Sequence, residues 1–192
     1  MKNILIINGH PDKQSYNRAL AEAYQKGAEE GKANIDLINL GELDFDPILR
    51  YGYRQRVDLE PDLLDAIEKL KKADHLVWVF PMWWYSTPAI LKGFIDRTFL
   101  PGITYELVEG KPLPKKLLKG KTARMIVTAD SPKWYEKLFM GSPLINQFKK
   151  GTLEFCGVKP VKLTYIAPIK DSSDAFREKW LNKVKELGKN LK

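Results

Sequence analysis

The 192-residue sequence predicts an open α/β fold in one domain: a five-stranded parallel sheet in the order 2-1-3-4-5, a three-layer sandwich with helices on both faces. Three observations carry that reading. Strand-like and helix-like segments alternate along the chain, and right-handed crossovers leave little but a parallel sheet for such an alternation. The strand candidates at residues 3–8 (NILIIN) and 75–80 (HLVWVF) are mostly apolar without polar alternation, which suits strands covered on both faces. The helix candidates carry apolar residues at three- and four-residue steps.

In order, residues 3–8 form the first strand, which Gly9-His10-Pro11 ends. Ser15 opens the first helix; Ala19, Leu20, Ala23 and Tyr24 make its apolar face, and it runs out between Gly27 and Gly31. The second strand spans 34–40. Residues 41–59 are a long connection, and in compact domains such lengths are usually functional or mobile. Glu60-Pro61 opens a second helix with Leu63, Leu64, Ile67 and Leu70 inward. After the central strand, stopped by Pro81, Thr87-Pro88 reads as the N-cap and first residue of a third helix with Ile90, Leu91, Phe94 and Ile95 on one stripe. Residues 101–121, rich in Lys, Pro and Gly, form an extended covering segment. The fourth strand is 122–128. A helix from Pro143 places Ile145, Phe148, Thr152 and Phe155 inward and ends at Gly157; the fifth strand is 161–166. The last helix, capped near Ser172 or Ser173, carries Phe176, Trp180, Val184, Leu187 and Leu191.

Composition narrows the function. With 44% apolar residues the chain can build a sizeable core. The first apolar run is too short for a signal peptide or a membrane span, so a cytoplasmic protein is expected. A lone Cys156 excludes an internal disulfide and a cysteine metal cluster, and the two histidines lie far from paired carboxylates, so no metal site is expected. The net charge of +8 is uneven: residues 1–110 hold 13 Lys+Arg against 17 Asp+Glu, and residues 111–192 hold 19 against 7. A solvated surface is the default for that basic half, a phosphate-bearing substrate comes next, and nucleic acid trails because no groove-reading motif accompanies the charge.

The strand order places the switch point between strands 1 and 3, where the HPDKQSYN turn after the first strand faces the PMWWYS loop after the third. The first turn delivers hydroxyl, amide and imidazole groups to a helix N-terminus that favours an anion. In the second, Trp83, Trp84 and Tyr85 stand where turn chemistry would call for Gly, Asn or Asp, and consecutive residues cannot all face one core. A phosphate pocket beside an aromatic slot suits a flavin nucleotide, whose ring edge backbone groups can read. There is no GxGxxG fingerprint, Walker lysine or GxSxG elbow.

His10 with Ser15 and Asn17, FDP at 45–47, FPMWWYSTPAILKGFIDRTF at 80–99, the strand ending at Thr128 and LEFCGV at 153–158 resemble the flavodoxin-like NAD(P)H:quinone oxidoreductases along nearly the whole chain. The resemblance implies a two-electron ping-pong reductase using NADPH or NADH, with bound FMN, or FAD, and a quinone or related aromatic acceptor. It implies that His10, Ser15, Tyr16 and Asn17 hold the flavin phosphate. Pro81, Met82, Trp83, Trp84, Tyr85, Thr128, Ala129 and Asp130 would surround the rings, with Tyr135 as a catalytic residue. It also implies a homodimer in which Tyr51 or Tyr53 reaches across. Two departures stand out: Thr128-Ala129-Asp130-Ser131 replaces the family's Thr-Thr-Gly-Gly turn, and Met140 stands near where a histidine belongs. An ionised Asp130 beside the ring would oppose its reduction unless the side chain turns away. The alternatives are an electron-carrier flavodoxin, which the pI of about 9.4 disfavours, and a non-catalytic regulatory subunit.

Overall fold

The computed structural model describes residues 1–191. In chain order its strands are β1 (Asn3–Asn8), β2 (Asn34–Asn39), β3 (His75–Pro81), β4 (Tyr105–Glu106), β5 (Lys115–Lys116), β6 (Thr122–Thr128) and β7 (Val161–Ile166). Five of them form one parallel sheet, β2-β1-β3-β6-β7, which is the predicted order; β4 and β5 make a separate antiparallel pair. The helices are α1 (Tyr16–Glu30), α2 (Pro61–Lys72), α3 (Ala89–Thr98), α4 (Lys133–Leu138), α5 (Pro143–Ile145) and α6 (Asp174–Lys189).

Alternation in the strands divides the core. Leu5, Ile7, Leu76, Trp78, Phe80, Met125 and Val127 face the layer of α2, α3 and α5, whereas Ile4, Ile6, Val77, Val79 and Ile126 face α1 and α6. The second layer is closed by a tight helix crossing. A Cβ at Gly27 would lie 1.8 Å from the Lys185 carbonyl oxygen, and one at Gly188 would lie 2.2 Å from that of Tyr24. Any side chain at either position would therefore push the helices apart.

The departures from the sequence reading have local causes. The cap of α3 is Pro88 rather than Thr87, whose hydroxyl is buried without a partner among the described residues. Leu64 is exposed because α2 turns only Leu63, Ala66, Ile67 and Leu70 inward. The helix beginning at Pro143 widens into a π-helix over Asn146–Glu154, which shifts the facing of its end and leaves Phe155 outside the core. The 101–121 segment is not featureless, since β4 and β5 pair within it, and α4 forms where the sequence reading had only loop.

Candidate active site

At the carboxyl edge of β1, β3 and β6 lies a cleft of about 240 Å³. It brings together His10, Ser15, Tyr16 and Asn17 from the first turn, Pro81, Met82 and Trp83 from the second, and Thr128, Ala129 and Asp130 after β6. Two further lining residues escaped the sequence reading. Asp12 belongs to the first turn itself, and Ile169 lies just beyond β7, whose end shares the edge and was the available signal.

Each group is positioned by chain chemistry. Ser15 caps α1 by accepting from Arg18 N at 3.2 Å, and the N–H groups of Tyr16 and Asn17 at the start of the helix have no intrahelical acceptor. Asn17 is 4% exposed; its Oδ1 accepts from Thr128 Oγ1 at 3.0 Å, and its Nδ2 has no partner among the described residues. A buried amide donor without an acceptor is costly, so its persistence marks a place where an acceptor is to be met. The amide of Asp12 donates to His10 Nδ1 at 3.0 Å, which places the ring proton of a neutral His10 on Nε2, and the ring edge meets Trp83 with centroids 5.3 Å apart. Burial lowers the His10 pKa below its ordinary 6.5 against the opposing pull of Asp12. The Asp12 carboxylate turns back onto Gln14 N. Tyr16 contributes a wall rather than a phosphate ligand: its hydroxyl donates to the Arg177 carbonyl at 2.7 Å, and burial pushes its pKa up to about 12.

The second turn is a two-residue reversal closed by Trp83 and Ser86, which exchange N–H···O bonds of 3.0 and 2.9 Å. Its central residues, Trp84 and Tyr85, both have positive φ, 51° and 56°. Such turns normally take Asn-Gly, and aromatic residues there cost on the order of 1–2 kcal/mol each. Trp84 is consequently lifted to 98% exposure and lies outside the cleft. Tyr85 is also outside the lining, but its hydroxyl lies 3.2 Å from Ser131 Oγ and so ties this turn to the loop after β6. The Tyr165 hydroxyl donates to the Ser131 carbonyl at 2.8 Å, extending the tie to β7.

The residues that depart from the family pattern, at 129–131 and 140, have these surroundings. Asp130 Oδ1 accepts from Ile169 N at 3.2 Å and Lys170 N at 2.7 Å, so the carboxylate braces the loop after β7. Tyr135, on α4, stacks on Phe139 with centroids 5.2 Å apart and does not line the cleft; Met140 is partly exposed nearby. Glu136, also on α4, is buried, with Oε2 accepting from Ser142 Oγ at 2.8 Å.

A parallel sheet in this order with a cleft at the β1/β3 switch point is the flavodoxin-like arrangement. The chain belongs to that family: a family model described as flavodoxin-like fold matches residues 2–189. Among curated relatives, a Haemophilus influenzae protein named an uncharacterized NAD(P)H oxidoreductase is 29% identical over 181 residues, covering 92% of this chain and 89% of its own. The human ribosyldihydronicotinamide dehydrogenase [quinone] is 28% identical over 183 residues, covering 82% of this chain and 78% of its own. Among solved structures, Smu.1420 from Streptococcus mutans UA159 superposes with a TM-score of 0.83 at 30% identity, covering 98% of this chain and 99% of that one.

Proposed function

We propose that this protein is a flavin-dependent NAD(P)H oxidoreductase acting on quinones or related aromatic acceptors. The observation that carries the proposal is the unsatisfied Asn17 amide beside the open N-terminus of α1, facing backbone-rich turns across one cleft. The donor set fits a flavin mononucleotide. Asn17 Nδ2, the N–H groups of Tyr16 and Asn17 and His10 Nε2–H would hold the phosphate, while residues 81–83 and 128–130 would border the ring. Bound there, a flavin would supply two-electron chemistry between NAD(P)H and the acceptor.

The chain's own residues orient and shield. Thr128 fixes the Asn17 amide, the Tyr85–Ser131–Tyr165 chain locks the second turn to the sheet, and Asp130 holds the 169–170 loop at the rim with its charge turned to N–H groups. Those N–H groups share the charge of Oδ1 and so lessen the expected conflict between the carboxylate and a reduced ring. Trp84 covers the ring from outside the cleft in a homodimer, and Tyr135 acts from α4 on the bound acceptor. The single compact phosphate turn favours FMN over FAD. The names of the curated relatives support the reaction class, and the absence among the described residues of any helix long and apolar enough to cross a membrane is compatible with it.

The test is direct. The purified protein is yellow, releases FMN on denaturation as identified by mass, and oxidises NAD(P)H with menadione. A protein that stays colourless with added FMN and FAD overturns the proposal. A protein that holds flavin but turns over no acceptor leaves the regulatory reading in its place.

A further inference from the structure

At the amino edge of the sheet, opposite the cleft, lies a second cavity, of about 150 Å³, bordered by Lys2, His75, Thr122, Pro160, Lys162 and Leu191. His75 begins β3 and Thr122 begins β6, and the two are register partners. His75 is only 3% exposed. Its Nδ1 shares a 2.7 Å hydrogen bond with Thr122 Oγ1, which leaves Nε2 buried without a partner among the described residues. Either atom of that pair can be the donor, and an anion in the cavity selects the tautomer in which the Thr122 hydroxyl donates to Nδ1 and the ring proton sits on Nε2.

Among the described residues, the charges that bear most on the imidazole have one sign. Burial, and then Lys2, Arg124 and Lys162, hold the imidazole neutral, with a pKa lowered to about 4. Acidic groups in the neighbourhood are engaged elsewhere: Asp74 accepts from Asn3 N at 2.9 Å, and Glu30 pairs with Lys185 at 2.6 Å and Lys189 at 3.5 Å. Lys121 gives its ammonium to the carbonyls of Lys71 and Ala73, Arg124 donates to Thr164 Oγ1 and lies near Tyr24, and Lys2 reaches the Leu191 carbonyl only at 3.4 Å. A buried donor in a cavity walled by cations is complementary to an anion, which would satisfy the donor and neutralise the wall together. The volume is about that of five waters, enough for a small tetrahedral ion and too small for a nucleotide.

We propose that this cavity is an anion site that takes a free oxyanion of the phosphate class, with His75 Nε2–H as the buried donor and Lys2 and Lys162 as counter-charges. The site is independent of the flavin cleft and does not rest on the function proposed for it.

His10 and His75 are the only two histidines in the sequence and occupy opposite edges, so imidazole ¹⁵N–¹H spectra of the full-length protein report the two sites separately. Inorganic phosphate should shift the His75 Nε2–H signal saturably. It should also raise the apparent His75 pKa by about one unit or more, because an anionic neighbour favours the imidazolium. The surface double variant Lys2→Ala/Lys162→Ala should bind phosphate about tenfold more weakly. His75→Gln, which keeps an N–H donor, should retain part of the affinity and lose the pH dependence. A His75 signal that does not move, or a linear drift identical in the double variant, means an adventitious ion only and overturns the proposal.

Discussion

The connection between β2 and α2 and the turns at the carboxyl edge are both crowded with polar groups, and the chain finishes them in opposite ways. In the first half of the connection the backbone donors are answered. Asp44 N donates to Asp62, Asp46 N to Glu60, and Ile48 N to Asp46, while buried Arg97 bridges Glu60 and the carbonyls of Asp46 and Asp58. Pro47 packs so closely on α3 that a Cβ at Gly93 would lie 2.3 Å from it. At the carboxyl edge, the Asn17 amide is left over, two aromatic residues occupy left-handed backbone, and Trp84 stands in water. The first half of the long loop, residues 44–48, is therefore bonded down to α2 and α3, whereas the short turns hold the unmet donor and the left-handed backbone.

The sharpest way to break this contrast is Arg97→Ala. It strands the Glu60 carboxylate and two carbonyls, and denaturant unfolding should show a loss of about 3–5 kcal/mol; a loss near zero would mean the connection is held by other means. Its pH signature follows from linkage. Burial raises the Glu60 pKa, but the Asp46 N–H, its own N–H and Arg97 outweigh that and leave it lowered. The stability it contributes is complete above the ordinary carboxylate pKa and fades as pH falls through the depressed one, so the variant should unfold with a flatter acid limb.

The next effect has the opposite sign. Replacing Trp84-Tyr85 by Asn-Gly should raise stability by about 1–3 kcal/mol, because the turn then suits its backbone, while flavin retention falls. A variant that is no more stable, or that keeps all its flavin, would remove the link between strain and site. Asn17→Ala should cost only about 1 kcal/mol of stability, through the lost Thr128 bond, yet weaken FMN binding about tenfold in a fluorescence titration. Equal losses in both would make Asn17 a structural residue.

The smallest effect is the pH dependence of FMN binding. The free His10 pKa lies below 6.5, and a phosphate favours the imidazolium, so affinity should climb as pH falls through that region. His10→Gln should flatten the slope; an unchanged slope would assign it to the phosphate's own titration.

Much of this was legible in the sequence because the signals are local. The predicted bounds of β1, β6 and β7 match the structure, and the Ser15 cap and the facing turns follow from strand–turn–helix chemistry. What was hidden depends on contacts remote in sequence or on small geometric shifts. The pairing of β4 with β5 joins two-residue strands too short for any periodicity, and the π-helix breaks the 3.6 spacing that put Phe155 inward. Asp130 read as a charge beside the ring because nothing local shows that its partners are the N–H groups of Ile169 and Lys170, about forty residues on. Trp84 was legible as unusual but not as solvent-facing, since its direction is set by a positive φ that sequence disfavours for tryptophan.

The lifted indole also bears on how the free chain behaves in concentrated solution. Covering a ring of roughly 150–250 Å² yields about 4–6 kcal/mol, more than the turn beneath it holds back. Concentrated preparations should consequently self-associate through this ring, and Trp84→Ser should stay clear at concentrations where the parent chain does not.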